Sequence, residues 1–303
     1  MSASALPATR PFAALSWMLL ASLLFSVMNL LGRVAGSGGA HWAMVGAVRA
    51  FAGAVIAFLV LRAQKAEPPR VSSPLLWVRS GFGTAAMALT FYVLARTDIA
   101  LGDAVTLFNL TPVFVACFAP LVLRERSGPI LAISVSAALV GTLLVIKPPS
   151  LFAHDGPRPS TALVAAAIGA ALLASFAMLA LRRIGPREST AGIALHFSLT
   201  ATVVLGSLAI PSFVMPHGRE LSAMVVGGAS AGLAQLCMPR AYMLERAALV
   251  ATFGSANVVF TALFGALLLA EFPDRLAVMG MALIVAAGAV LARTSGHAKE
   301  AAP

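Results

Sequence analysis

The chain has 303 residues, of which 60% are hydrophobic and only 11% charged, and its mean hydropathy is +0.94. Soluble domains are roughly half apolar and a quarter charged, so composition excludes an ordinary soluble domain and points to an integral membrane protein. The formal net charge of +10 does not mark a nucleic-acid binder, because its basic residues sit in short connections such as LRAQKAEPPR, LRER and LRRIGPR with no interleaved aromatics.

Ten apolar segments, each about the length of a bilayer-crossing helix, follow in chain order: 12–33, 42–61, 74–95, 99–121, 129–146, 161–181, 190–211, 221–243, 247–270 and 276–292. Breakers separate them: GSGG after the first, EPPR after the second, KPPS after the fifth and IGPR after the sixth. The first segment is long for a cleavable leader and acts as an uncleaved insertion signal. Cys117 and Cys237 lie inside apolar segments, far from any CxxC spacing, as small buried hydrophobes do.

Lys and Arg set the orientation. With a cytoplasmic N-terminus, Arg10, Arg62, Lys65, Arg70, Arg124, Arg126, Arg182, Arg183, Arg187, Arg246, Arg293 and Lys299 fall inside, about twice the number outside. The expectation is a multi-pass protein of the inner (plasma) membrane with both termini cytoplasmic.

The two halves resemble each other. YVLAR at Tyr92–Arg96 matches YMLER at Tyr242–Arg246, and PLVLRE ending at Glu125 matches ALLLAE ending at Glu271. Five spans per half make the second copy enter from the opposite face, the inverted repeat of many secondary transporters. The expected fold class is therefore all-α integral membrane, about ten transmembrane helices in two inverted five-helix repeats, over residues 1–150 and 151–303.

FYVLARTDIALGDAVTLFNLTPVFVACFAPLVLRE, AYMLERAALVATFGSANVVFTALFGALLLAE and the arginine of GAVRAF together resemble the EamA-type branch of the drug/metabolite transporter (DMT) superfamily. The resemblance covers nearly the whole chain. It implies ten helices in two inverted halves, a substrate path between them and, for much of the family, export. The second copy departs from the pattern: Val258 stands where the first has Pro112, and the usual aromatic is replaced near Ser255.

Polar groups deep in spans are costly and tend to face cavities or partners. Arg49 lies roughly 10 Å from the outer end of the second span and Asp103 roughly 7 Å into the fourth, at 1.5 Å per residue. Their matched depth makes them a candidate pair; the competing readings are snorkelling for Arg49 and helix N-terminal charge for Asp103. Thr106 and Asn109 follow Asp103 at spacings of three on one side of the helix, and Pro112 permits a hinge beside them. Thr106 and Thr111 fit interhelical glue better than a path. In the second half, His196 roughly mirrors Arg49, while Ser255 and Asn257 mirror Asn109 and Thr111; Gln235 is a further buried amide. Asn29, Tyr92 and Tyr242 form a second tier with Thr106 and Ser255. Glu125 and Glu271 read as interfacial, joined to Arg124, Arg126 or Arg275. GASAG at Gly228–Gly232 permits close helix approach.

No Walker A, HExxH or metal-spaced His/Cys cluster is present, so ATP-driven pumping and enzyme chemistry are not expected, and no cofactor or metal is called for. The leading expectation is a secondary carrier that moves a small polar metabolite, an amino acid or related organic solute, by alternating access, with efflux favoured over uptake. Arg49, Asp103, Asn109, His196, Gln235 and Asn257 are its substrate-binding candidates. Arg49 would meet an anionic group, and Asp103 or His196 would carry protons if coupling is to protons rather than exchange. The alternatives are an uptake carrier for a nucleoside-like or vitamin-like metabolite and, in a different class, a non-transporting scaffold. The expected partners are a small-molecule substrate and the lipid bilayer, with no nucleic acid; a monomer and a homodimer fit equally.

Overall fold

The computed structural model describes residues 10–36, 41–96, 99, 104, 107–125, 128–147, 149–152, 160–212, 218–269 and 273–300. Among them the protein is all helix: α1 (Pro11–Gly36), α2 (Trp42–Ala63), α3 (Pro74–Leu94), α4 (Thr111–Leu123), α5 (Pro129–Ile146), α6 (Thr161–Ile184), α7 (Thr190–Ala209), α8 (Gly218–Leu244), α9 (Ala247–Gly254), α10 (Ala256–Leu269) and α11 (Arg275–Glu300). Eight stretches are long and apolar enough to cross a membrane, with α9 and the start of α10 counted as one. Of the other two expected spans, α3 has the length but carries Arg79, and α4 has 13 residues. Large apolar side chains such as Phe51, Val203 and Leu267 stay exposed on the outer surface of the bundle, as lipid contact requires.

Local chemistry places the ends. Pro74 and Pro129 occupy first turns, where the missing N–H costs nothing. The hydroxyls of Ser160 and Ser189 accept from the N–H groups of Leu163 and Gly192 and cap α6 and α7. Arg124 and Lys147 close α4 and α5 in the left-handed conformation, at φ 58° and 46°.

Two expected spans are corrected. Neither 99–121 nor 247–270 is a continuous helix: the first is interrupted at Asn109–Leu110 and the second at Ser255. Pro112 has no N–H to give to the Phe108 carbonyl four residues back, and the Thr111 hydroxyl donates to that carbonyl instead, at 2.8 Å. At the second break Ser255 and Val258 make tighter three-residue turns onto Thr252 and Ser255. Helix α1 supplies the missing donors there: the Ser22 hydroxyl to the Gly254 carbonyl at 3.4 Å, and the Ser26 hydroxyl to the Asn257 carbonyl at 3.0 Å. Broken helices are tolerated at membrane depth only where neighbours satisfy the freed backbone.

Helix neighbours pair across the midpoint. The packed pairs α1–α8 and α3–α6 exchange when α1–α5 are swapped with α6–α11, and so do α2–α8 with α3–α7 and α1–α10 with α4–α6; α2–α7 and α5–α11 map onto themselves. The closest crossings use glycine. A Cβ on Gly232 would lie 2.8 Å from the Gly53 Cα, and one on Gly141 2.7 Å from the Gly280 carbonyl. The GASAG approach is thus made to α2, while the α5–α11 crossing had no recognised motif.

We call the face where α1 begins and α11 ends the near face. Its side of the bundle is filled by Ala14, Met18, Val115, Leu131, Leu179, Tyr242, Leu249 and Phe253. At the far face, Lys147 after α5 pairs with Asp274 before α11.

Candidate functional site

A cleft opens between α2, α3, α7 and α8. It is lined by Arg49, Ala50, Gly53, Met87, Phe197, Ser198, Ala231, Gly232 and Gln235 and is narrow, with a free volume of about 10 Å³. Its walls come close because Gly53 and Gly232 carry no side chains. Its polar groups are Arg49, Ser198 and Gln235. The Arg49 guanidinium lies 5.6 Å from the Phe91 ring centroid and 6.0 Å from that of Phe25. Cation–π contact suits a guanidinium that has left water. No carboxylate pairs with Arg49 among the described residues.

Behind Gln235 and Phe197 lies Arg79, which the sequence reading passed over. Its side chain is 1% exposed. Nη2 donates to Gln235 Oε1 at 3.1 Å, and the guanidinium stacks 4.3 Å from the Phe197 centroid. Among the described residues Nε and Nη1 have no acceptor. Gly83 makes room: a Cβ there would collide with Nη1. The overlooked signal is an arginine in an apolar helix followed by two small gaps, RSGFG.

The other candidates divide. Arg49 and Gln235 share the cleft. His196 lies toward the near face, its Nδ1 2.8 Å from the Ser80 hydroxyl and its ring edge-on to Trp77 at 4.6 Å. Asn257 holds the second helix break to α1, donating to the Ser22 carbonyl at 3.1 Å and accepting from Asn29 at 3.3 Å. Ser255 is buried at that break. Asn109 is half-buried at the first break, with Pro112 in the turn after it. Thr111 also reaches the Ala171 carbonyl at 3.4 Å. Tyr92 belongs to a far-face aromatic group, with Trp42 edge-on at 5.9 Å and Arg96 donating to its hydroxyl at 2.9 Å. Tyr242 is buried near the near face. Asp103 and Thr106, and with them the Arg49–Asp103 pairing, lie outside the described residues, as does Glu271.

Glu125 is buried and pairs with Arg182, a partner not among those expected, N to O 3.0 Å, with side chains 4% and 1% exposed. Arg182 Nη1 also donates to the carbonyls of Tyr242 and Met243, at 3.0 and 3.1 Å, and the Ala247 N–H donates to Glu125 Oε2 at 3.0 Å. One ion pair thereby ties the end of α4, α6 and the α8–α9 turn together. Beside it Glu245 is fully buried. Its Oε1 accepts from the Arg246 N–H at 2.9 Å, and its Oε2 has no hydrogen-bond partner among the described residues. Burial pushes the Glu245 carboxyl up, reinforced by the Glu125 charge and opposed by Arg246 and Arg182.

Residues 12–147 match the EamA-like transporter family. The pseudopaline exporter CntI of Pseudomonas aeruginosa is 32% identical over 91% of this chain and 94% of its own. The riboflavin transporter of Vibrio cholerae is 23% identical over 89% of each. A solved structure described only as a crystal structure of protein superposes with TM-score 0.81 over 93% of this chain and 98% of its own, at 21% identity, and so shows the fold alone.

Proposed function

The chain belongs to the EamA-like transporter family of the DMT superfamily, and from that premise we propose that it exports a small acidic metabolite, an amino acid or related organic solute, across the inner membrane by alternating access. The observation that carries the substrate class is Arg49: a cation in a narrow cleft between helices of both halves, held over aromatic rings, beside Gln235 and Ser198. A guanidinium there meets a carboxylate or similar anion, and the amide and hydroxyl orient the rest of the cargo.

The moving units in this reading are residues 1–150 and 151–303, two inverted repeats of five spans with cytoplasmic termini. The symmetric neighbour pattern supports them, as does the basic bias of the near-face connections. Release at one face requires the packing there to part. At the near face the buried Glu125–Arg182 pair is one polar contact that would have to break. Export takes its support from the exporter relative.

The test compares cell and medium metabolites with and without expression, then measures counterflow of the accumulating compound in proteoliposomes. Counterflow that Arg49→Gln abolishes while the protein still folds supports the proposal. Counterflow of a neutral compound unaffected by that change overturns the acidic cargo, and no exchange with any extract pool favours a scaffold. The riboflavin transporter relative supports a second reading, uptake of a vitamin-like metabolite; accumulation inside the cell rather than in the medium identifies it.

A further inference from the structure

We propose that Arg79 is a second cation of the transport site, and that the cargo carries two separated acidic groups, one met by Arg49 and the other by Arg79. The inference rests on the acidic-cargo reading above and goes beyond it in fixing the number and spacing of charges.

Arg79 contrasts with the other fully buried arginine. Arg182 has a carboxylate and two backbone carbonyls. That is what a structural guanidinium, with five donors and a full charge, needs away from water. Arg79 is buried to the same degree, yet among the described residues it has a single neutral acceptor, Gln235, and two nitrogens without one. Among the described residues no carboxylate pairs with it. The packing protects this state: Gly83 leaves space at Nη1, and Phe197 supplies a π face rather than a counter-charge.

The placement links Arg79 to the cleft. Gln235 and Phe197 line the cleft on one side and touch Arg79 on the other. A turn of the Gln235 amide therefore exchanges a neutral acceptor for a charged one without a helix moving. The spacing follows from α8. A Cβ on Gly228 would lie 3.0 Å from the Arg49 Cα, so these two positions are level. Gln235 is seven residues on, roughly 10 Å along the axis toward the near face at 1.5 Å per residue. The two guanidiniums thus belong to different levels, Arg49 in the cleft and Arg79 behind Gln235 toward the near face. A monoanion compensates one and leaves the other bare, whereas an α,ω-dianion a few carbons long compensates both.

The test uses purified full-length protein, with thermal stability read against a dicarboxylate series from malonate to suberate and hexanoate as the monoacid control. We expect a length optimum within the series, with hexanoate at least tenfold weaker. Arg49→Gln and Arg79→Gln each lower the dicarboxylate affinity at least tenfold, toward that of the monoacid. Without ligand, Arg79→Gln melts at or above wild type, because an uncompensated buried charge is gone; a structural arginine would give a lower melting point. Should Arg79→Gln fail to fold, Gly83→Ala displaces the guanidinium without removing it, and we expect the diacid preference lost with hexanoate binding kept. Equal binding of mono- and diacids, unaltered in Arg79→Gln or Gly83→Ala, overturns the second cation and leaves the single-acid transport site standing. Failure of every carboxylate to bind wild type overturns the acidic-cargo reading as well.

Discussion

Glu125→Gln isolates the charge of the buried near-face ion pair while keeping its shape. The amide oxygen can still accept from Arg182, but Arg182, 1% exposed, loses its counter-charge. Removing one partner of such a pair costs about 3–5 kcal/mol, because the remaining charge is stranded. Arg182→Met strands Glu125 in the same way and also leaves the Tyr242 and Met243 carbonyls without this donor. Each buried acceptor left bare adds about 1–3 kcal/mol. The double variant strands no charge and is expected to lose only those carbonyl contacts, about 2–6 kcal/mol in all. The two single losses should therefore exceed the double loss by at least about 2 kcal/mol, a coupling only a direct interaction produces. Reversible unfolding in mixed micelles, followed by far-UV circular dichroism, measures all four corners of the cycle. Single losses that add to within about 0.5 kcal/mol would refute the coupling, and with it the claim that this pair holds α4, α6 and the α8–α9 turn together.

Glu245→Gln tests the neighbouring carboxyl through pH. A carboxyl pushed up by burial binds a proton more readily folded than unfolded, so its favourable contribution is full below the ordinary carboxylate range and is lost as pH rises through its folded value. The melting temperature of Glu245→Gln minus that of wild type should therefore grow between pH 5 and pH 8, by about 2–4 °C for each kcal/mol recovered; a flat difference contradicts the burial argument. Asn257→Ala removes its side-chain bonds to α1 at the second helix break, and we expect a loss of about 0.6–1.7 kcal/mol with the cargo affinity per folded molecule unchanged. Gly232→Leu drives a side chain into the Gly53 backbone and should cost about 1–3 kcal/mol, with transport falling further than stability because the α2–α8 contact forms the cleft wall.

Much of the architecture is legible because lipid imposes a length and an apolarity on every spanning helix. The predicted limits 42–61, 129–146 and 190–211 lie within two residues of the helices found. The breaks at Asn109–Leu110 and Ser255 are not legible in this way, since an apolar window reads the same whether the backbone inside it is continuous or interrupted. Pro112 marks the first break, but the second has no proline. It is stabilised by Ser22 and Ser26, more than two hundred residues away in the chain, a contact no local reading contains.

The site shows the same limit more sharply. Depth along a helix picks out Arg49 and Gln235, and the structure puts both in one cleft. Depth also makes Arg182, two residues from the end of α6, an ordinary near-face basic residue, and Arg79, five residues into α3, lies shallower than Arg49, seven residues into α2. What separates them is which groups other helices bring within reach. Glu125 reaches Arg182 from α4, whereas Arg79 meets only a glutamine and a phenylalanine. Two arginines with the same chemistry and the same burial are therefore assigned opposite work by their partners: one holds a face together, and the other remains available to a charge that arrives with the cargo.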